Sequence, residues 1–255
     1  MEHRTALRST TGRTARTTTR LMAFSLLVAL APLSVASAQA ASSSLNVVAD
    51  WQMNEPAGAT AMTDSGPNGI NGVIGRAVHT GVSVAGATAY SWPFTSPTAP
   101  PAKPERLIKA TDSRLNFGTA DFAVSFRYRT THSFGNIVQK GQATTTGGQL
   151  KFELPGGKVT CLVRGSIARR AVSTRNTYDD GTWHTVRCAR TATGLTMTVS
   201  NSGGTILETR KIAGATGDVT NRYPISIAGK TNCDQVTITC DYFTGEVDWV
   251  KVEKG

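Results

Sequence analysis

The sequence predicts an all-β sandwich in a single domain, and three observations lead to that fold class. Apolar and polar residues alternate with a period of two in several segments, and residues 121–129 show this most clearly. Turn-forming residues separate those segments, and no helical period is apparent beyond the first 38 residues. The chain has 255 residues, and a sandwich often occupies roughly 200 to 250 residues as one unit.

The first 38 residues predict a secretory signal peptide. Five arginines between Arg4 and Arg20 precede an apolar run at residues 21–33, and residues 36–38 (Ala-Ser-Ala) have the small-residue pattern of a cleavage site. The apolar run is shorter than the roughly 20 residues that a membrane-spanning helix needs. We therefore expect a secreted, extracellular protein that does not span a membrane and that begins, after cleavage, at Gln39.

Cleavage at this position defines the organisation of the remaining chain. A small-residue pattern at residues 38–40 is an alternative cleavage site, residues 39–46 form a short linker rich in alanine and serine, and residues 47–255 form the domain. Removal of the five arginines and the one glutamate of the leader lowers the net charge from +10 to +6. This moderate charge is compatible with an anionic glycan or a cell-wall surface. No motif of nucleic-acid-binding proteins is present, so we expect no nucleic-acid partner, and the sequence does not determine the oligomeric state.

Four segments in the middle of the domain show the alternation expected of strands with one buried face. Residues 121–129 place aromatic and aliphatic side chains on one face and serine and arginine on the other. Residues 158–164 and 182–190 alternate in the same way, and each segment places a cysteine on its apolar face. Residues 195–199 continue the pattern with leucine, methionine and valine. The period of two predicts a strand in each segment.

Turn-forming residues separate these strands. Leu-Pro-Gly-Gly-Lys at residues 154–158 predicts a tight hairpin, and the glycine-containing segments at residues 179–181 and 201–204 predict further turns. Residues 90–106 are rich in proline, serine and threonine and predict a long surface loop.

Four cysteines in an exported chain predict two disulfide bonds. Of the three possible pairings we favour the one that joins Cys161 to Cys188, because both lie on the apolar faces of strands that we expect to be near neighbours. Cys233 and Cys240 then pair and close the loop of residues 234–239. The spacing of the cysteines does not fit a zinc site, in which thiolates occur in closely spaced pairs with further partners.

Several motifs follow one another in a characteristic order. Trp51 and Glu55 lie in the opening segment, residues 180–186 read Asp-Gly-Thr-Trp-His-Thr-Val, and residues 243–252 form the closing segment. Together with residues 121–126, these segments resemble those of laminin-G-like domains in the concanavalin A-like lectin and glucanase superfamily. The resemblance covers almost the whole chain after the leader. It implies a two-sheet antiparallel jelly-roll β-sandwich whose first and last strands meet at one edge.

The superfamily includes glycan hydrolases and lyases, so the resemblance raises the question of catalysis. Glu246 and Asp248 resemble part of a glucanase motif, but the second glutamate of that motif is missing. Retaining hydrolases need two carboxylates about 5 to 5.5 Å apart. We expect His184 to be a satisfied core residue because it alternates with core positions, and His132 has no evident partner. The sequence therefore predicts no catalytic residue and favours a noncatalytic module.

The resemblance also implies that one structural calcium ion joins the first and last strands or a nearby loop. The candidate ligands are carboxylates, because calcium prefers oxygen ligands. They are Asp50, Glu55, Asp64 and Asp248. No linear calcium-binding loop is present, and Asp64 has an alternative role in initiating a turn at residues 64–67. We expect no other cofactor.

Aromatic rings and arginines are the candidate ligand-binding residues, because sugars present apolar faces as well as polar edges. Arginine also contacts carboxylate or sulfate groups in a bidentate geometry. The predicted exposed aromatic residues are Tyr90, Trp92, Tyr178 and Tyr223. The predicted basic cluster consists of Arg164, Arg169, Arg170 and Arg175. Three tryptophans, Trp51, Trp183 and Trp249, are instead expected to be structural.

These observations predict a secreted, noncatalytic module that binds carbohydrate or another cell-surface ligand. The first alternative is a polysaccharide-degrading enzyme of the same superfamily, a glycoside hydrolase or lyase whose acid and base lie on non-adjacent strands. The second alternative is a structural or adhesive surface protein with protein partners.

Overall fold

The computed structural model describes residues 44–94, 105–232 and 240–255. The predicted signal peptide and most of the predicted linker lie outside these ranges. Among the described residues, no helix combines the length and the apolar composition that crossing a membrane requires. The described chain forms two antiparallel sheets that pack as a sandwich, as the alternation of apolar residues predicts.

The first sheet contains eight strands within the described residues. In spatial order they are β14 (Ile206–Ala213), β13 (Gly194–Asn201), β12 (His184–Thr191), β7 (Phe122–Arg129), β16 (Gly245–Lys254), β5 (Ala87–Trp92) and β4 (His79–Val84), and β1 (Asn46–Trp51) also pairs with β16.

The second sheet contains eight shorter strands within the described residues. In spatial order they are β11 (Arg169–Ser173), β10 (Thr160–Arg164), β9 (Gln149–Glu153), β8 (Asn136–Lys140), β15 (Ile225–Ile227), β6 (Ile108–Ala110), β3 (Gly72–Ile74) and β2 (Ala61–Met62). Two single 3-10 turns, Ser113–Leu115 and Pro155–Gly157, accompany the strands, and the second forms the hairpin that the sequence predicts between β9 and β10.

The core lies between the two sheets and is formed by the apolar faces of the strands. Phe122, Val124, Phe126 and Tyr128 of β7 are at most 1% exposed, as the alternation in residues 121–129 predicts. The ring of Phe126 meets Phe152 of the second sheet edge-on, with ring centroids 4.9 Å apart. Burying each large apolar side chain stabilises the fold by roughly 1.5–3 kcal/mol, so these faces hold the two layers together.

The predicted disulfide bond between Cys161 and Cys188 is confirmed, with Cα atoms 6.5 Å apart. The two strands are near neighbours across the core and not within one sheet, because β10 belongs to the second sheet and β12 to the first. Both cysteines lie on core-facing positions, so the bond crosses the sandwich and joins its layers. Cys240 is also disulfide-bonded. Cys233 lies outside the described residues, so its predicted bond to Cys240 stays a prediction.

The first and last strands meet, as the resemblance implies, but they do so in the interior of the first sheet. β16 is flanked by β7 along nearly its whole length. On its other side β16 pairs first with β5, through residues 245–247, and then with β1, through residues 250–254. Asp248 is the extra residue of a β-bulge opposite β7, at the point where the partner changes.

The predicted surface loop at residues 90–106 begins later than expected. Tyr90 and Trp92 belong to β5, and both side chains are buried, so the first part of the segment is a strand. Burial of the two rings outweighs the loop-like composition of the residues that follow them. Residues 95–104 lie outside the described part of the chain.

Candidate functional site

Three of the four aromatic residues that the sequence predicts to be exposed are buried. Tyr90 is fully buried and donates its hydroxyl hydrogen to Glu55, and Trp92 is 1% exposed and donates its Nε1 hydrogen to the carbonyl of Arg106 at 3.0 Å. Tyr178 is also buried, with its hydroxyl 3.2 Å from Glu208. The expectation that these three rings are exposed is wrong, because each apolar ring lies in the core while its polar group reaches a partner.

The four arginines of the predicted basic cluster have different surroundings. Arg164 and Arg169 face each other across β10 and β11, and Arg170 is the next residue of β11. Arg170 packs its guanidinium against Gly214, and its Nε is buried without a hydrogen-bond partner among the described residues. Arg175 is exposed beyond the opposite end of β11. The structure therefore groups three of the four and separates Arg175 from them.

Arg164 organises a loop. Its guanidinium donates to the carbonyl oxygens of residues 142, 143, 145 and 147 at 2.9–3.0 Å. These four bonds fix the segment between β8 and β9 against the end of β10. The donors of Arg164 are therefore directed to the protein itself, and its role is to shape the loop.

The four predicted calcium ligands each have partners within the protein. Asp64 accepts hydrogen bonds from the backbone N–H groups of Asp50, Gly66 and Ile70, all at 2.8 Å, which is the turn-forming role proposed as its alternative. The other carboxylates form ion pairs or hydrogen bonds. Asp50 pairs with Lys251 at 3.1 Å, Asp248 pairs with Arg127 at 2.6 Å, and Glu55 accepts from Thr63 and Tyr90. In the described residues, no three His, Cys, Asp or Glu side chains gather as a metal site would require.

The carboxylates of Glu246 and Asp248 lie on the outer face of the first sheet. Glu246 pairs with Arg129 at 3.0 Å, and the guanidinium of Arg127, which pairs with Asp248, lies 4.7 Å from the ring centre of Trp183. The bulge at Asp248 shifts the alternation of β16, so that both Asp248 and Trp249 are partly exposed. Each carboxylate is thus held by an arginine of β7.

His184 is a core residue, as the sequence predicts, but only one of its ring nitrogens is satisfied. It is 3% exposed, and its Nε2 lies 3.0 Å from Asp180 and 3.1 Å from Thr182. Its Nδ1 is buried without a hydrogen-bond partner in the described chain. The ring of His132 stacks on Phe94, with centroids 5.2 Å apart.

Three loops at one end of the second sheet surround an open cleft. The loops connect β8 to β9, β10 to β11 and β14 to β15. A cavity of about 600 Å³ lies between the first and third loops, and an adjoining cavity of about 290 Å³ extends toward the second loop. The two share Gly147 and Thr220, so we treat them as one site and call it the loop cleft. Its lining consists of Thr146, Gly147, Gly148, Gly165, Ser166, Asp218, Thr220, Asn221, Arg222, Tyr223 and Pro224.

Close backbone contacts shape the loop cleft. A Cβ atom at Gly148 would lie 2.4 Å from the carbonyl group of Val219, and one at Gly147, where φ is +95°, would lie 2.6 Å from the carbonyl oxygen of Thr220. Glycine is therefore required at both positions, since any side chain would push the first and third loops apart.

Buried polar groups hold the wall of the loop cleft that contains Tyr223. Asn221 is 5% exposed, donates to the carbonyl of Gly148 at 3.1 Å and accepts from the N–H of Tyr223 at 3.0 Å. Lys140 is 3% exposed and donates from Nζ to the carbonyl oxygen of Tyr223. Burial lowers the pKa of Lys140 to about 8. The wall is thus fixed by Asn221 within its own loop and by Lys140 at the end of β8.

The loop cleft presents both apolar and polar groups. Tyr223 and Pro224 are partly exposed and provide apolar surface, and Thr146 and Thr220 contribute hydroxyl groups. Arg222 is exposed between Asn221 and Tyr223. Among the predicted residues only Tyr223 lines the cleft, and Arg164 shapes it from the side. Sequence analysis missed the cleft because its loops are far apart in the chain, and the irregular Thr-Asn-Arg-Tyr-Pro run at residues 220–224 is the one signal that points to it.

The fold is that of the jelly-roll domains in the concanavalin A-like class. The chain is similar to domain 4 of AbnA, a GH43 extracellular arabinanase from Geobacillus stearothermophilus, with 15% identity over 83% of this chain and 93% of that one and a TM-score of 0.53. It is also similar to the botulinum neurotoxin serotype D binding domain, with 11% identity over 82% of this chain and 47% of that one and a TM-score of 0.51.

Further similarity extends to the laminin structures, over a smaller part of the chain. Domains LG4-5 of the mouse laminin alpha1 chain match with 17% identity over 56% of this chain and a TM-score of 0.44. This match spans 38% of that laminin chain. A second match, to the LG1-3 region of the laminin alpha2 chain, spans 33% of that chain. No family model matches the sequence, and no curated protein matches it. At these identities the similarities establish the fold alone.

Proposed function

We propose that the protein is a secreted, noncatalytic module that binds carbohydrate in the loop cleft. The observation that carries this proposal is the lining of the cleft, in which an aromatic ring and a proline lie beside hydroxyl, amide and guanidinium groups. A sugar ring has an apolar face and a rim of hydroxyl groups, so it needs both kinds of surface.

The fixed wall of the cleft supports a binding role. Asn221 and Lys140 hold the backbone around Tyr223, and Arg164 holds the opposite loop through four carbonyl groups. A site that is already ordered loses less conformational entropy when a ligand binds. The larger cavity of the cleft, about 600 Å³, also lies in the range of roughly 300–1,000 Å³ that is usual for small-ligand sites.

A single carboxylate among the described lining residues favours binding over hydrolysis. Among the described lining residues, Asp218 is the only carboxylate, and its Oδ1 accepts from both the N–H and the hydroxyl of Thr220 at 2.8 and 2.6 Å. Acid–base hydrolysis of a glycosidic bond normally uses two carboxyl groups on either side of the bond.

The predicted export and the similar structures are consistent with this proposal. The bond between Cys161 and Cys188 is typical of proteins in an oxidising, extracellular compartment. Domain 4 of AbnA, with a similar fold, was solved in complex with arabinotriose, and it belongs to an extracellular enzyme. A carbohydrate ligand is therefore a reasonable first probe for this chain.

Calorimetric titration of the purified protein with arabinotriose and a panel of neutral and acidic oligosaccharides tests the proposal. We expect at least one saccharide to bind, and Tyr223→Ala to weaken its affinity about tenfold, because a stacking surface is lost. Ile206→Ala removes another exposed side chain, 61% accessible on β14, and serves as the matched control without loss of binding. Absence of binding across the panel, or equal effects of the two substitutions, contradicts the proposal.

An adhesive role is a second candidate because apolar side chains are exposed away from the cleft. Phe134 is 43% exposed. Phe94 is 65% exposed, and its ring stacks on that of His132, which lies two residues before Phe134 in the chain. Retention of cell-surface attachment by a Tyr223→Ala protein, with its loss in a Phe134→Ser protein, would favour this alternative.

A further inference from the structure

We infer that the loop cleft selects a saccharide that carries a carboxylate, and that Arg222 is the residue that binds it. This inference rests on the proposed function, since it concerns the ligand class of the same cleft. The ligand then carries a negative charge, and that charge lies at the Arg222 end of the cleft.

Within the described residues, the side chain of Arg222 is available to a ligand. It is exposed at the rim of the cleft, and in the described parts of the chain its guanidinium has neither a hydrogen bond nor a carboxylate partner. Most other arginines of the domain donate to protein groups. Arg164 donates to four carbonyl oxygens, and Arg127 and Arg129 pair with carboxylates on the neighbouring strand β16.

Hydrogen bonds fix the backbone on both sides of Arg222. The N–H of Asn221 donates to Asn116 at 3.2 Å, and the carbonyl oxygen of Tyr223 accepts from the buried Lys140. The side chain of Asn221 also bonds to the N–H of Tyr223 and to the carbonyl of Gly148. An unpaired cation on a rigid segment is presented to solvent in a limited region of space, which favours a ligand that complements it there.

A second positive charge lies near Arg222 at the same end of the cleft. Lys140 adds a buried positive charge behind Tyr223, and in the described chain no carboxylate pairs with it. Asp218 lies in the adjoining cavity, next to Ser166 and Gly165, where its charge interacts with that of Arg190. The end of the cleft at Arg222 is thus its most positive part, so a ligand with one acidic sugar and a neutral continuation fits there.

The geometry of a guanidinium favours a carboxylate as the acidic group. Its planar fork donates two parallel hydrogen bonds to the two oxygens of one carboxylate. A sulfate group also accepts such bonds, so the experiment must separate the two kinds of anion.

The test is calorimetric titration of the full chain with trimers of galacturonic, glucuronic and mannuronic acid, each beside its carboxyl-reduced neutral trimer and a sulfated form of that neutral trimer. We expect one acidic trimer to bind at least tenfold more tightly than its neutral counterpart. We expect Arg222→Gln to abolish most of that preference, by weakening the acidic trimer far more than its neutral counterpart, and rising salt to reduce the preference of the wild type. Arg175→Gln removes the same charge at the far end of β11 and should leave the preference intact.

The outcomes separate this inference from the proposed function. If neutral trimers bind as tightly as acidic ones and Tyr223→Ala weakens both, the cleft binds carbohydrate but the inference is wrong. Tighter binding of sulfated trimers than of uronic acids, or equal losses in the Arg222→Gln and Arg175→Gln proteins, also overturns it. If no trimer binds and the neutral panel fails as well, both the inference and the proposed function are wrong.

Discussion

The outer face of the first sheet and the loop cleft both carry charged side chains, but the charges differ in their partners. On the sheet, strand register brings opposite charges together, as where Glu246 of β16 lies opposite Arg129 of β7. In the loop cleft, Arg222 projects from an irregular segment and has no such neighbour in the described chain. Strand register thus pairs the charges of Glu246 and Arg129 with each other, whereas the irregular segment leaves the guanidinium of Arg222 exposed at the rim of the cleft.

The largest effect we expect separates stability from binding. Replacing Cys161 and Cys188 together by alanine should lower the free energy of unfolding by about 3 kcal/mol, because the bond that joins the two sheets restricts the unfolded chain. Ligand affinity at the loop cleft should be unchanged where the protein is fully folded. Urea unfolding and calorimetry measure the two quantities, and a loss of affinity in the folded double variant would show that the cleft depends on the bond.

The buried charge behind the cleft should make stability depend on pH. Burial lowers the pKa of Lys140 to about 8, from its ordinary 10.5, so the unfolded chain binds more protons between these values. The contribution of Lys140 to stability therefore rises as pH increases through this window, by at most about 3 kcal/mol, and is constant below it.

Comparison with Lys140→Met isolates this contribution, since tyrosine ionisation affects both proteins alike. The stability of the wild type relative to this variant, measured by urea unfolding, should increase between about pH 7 and about pH 10. A constant difference would show that Lys140 is as solvated in the folded protein as in the unfolded chain.

Arg164→Ala should lower both the stability of the protein and its affinity for a ligand, each to a moderate extent. Four carbonyl groups between residues 142 and 147 lose their donor, so the loop becomes more mobile and the cleft less ordered. We expect a loss of about 1–2 kcal/mol in stability and a several-fold weaker affinity. Arg169→Ala, on the facing position of β11, serves as the control. Unchanged hydrogen exchange in the loop of the Arg164→Ala protein would argue against this role.

The smallest effect is expected for an ion pair on the sheet face. Asp248→Asn removes the charge that pairs with Arg127, and because both groups remain partly accessible, the stability should fall by less than about 1 kcal/mol. Raising the salt concentration should reduce the difference further. A loss of stability several times larger would contradict this expectation and would show that the pair is shielded from solvent.

The strands could be predicted from the sequence because burial of one face of a strand produces an alternation of apolar and polar residues. Residues 121–129 and 182–190 alternate, and both form strands at nearly those positions. The pairing of Cys161 with Cys188 could be predicted for the same reason, since both occupy apolar positions. Their placement on opposite sheets could not, because alternation reports which face is buried and says nothing about which strand lies across the core.

The binding surface could not be predicted in the same way. Tyr90 and Trp92 were expected in a loop because prolines follow them, but the two rings pack in the core. The loop cleft arises where residues near 147, 166 and 220 meet, and only the folded sheets bring them together. Arg164 shows the same limit, since a charge on a strand looks alike in sequence whether it contacts a ligand or four backbone carbonyls.

The change of partner along β16 has a consequence for the order in which the domain can assemble. β1 precedes the other described strands in the chain, and its only strand partner among them is β16, which follows all of them. During synthesis β1 must therefore wait until the described strands between the two have been made, and such long-range closure makes folding slow. A chain that stops before residue 245 leaves both β1 and the long strand β7 with an open edge, which is a template for aggregation. The ten-residue strand β16 must therefore be present before β1 can pair and before the first sheet can close.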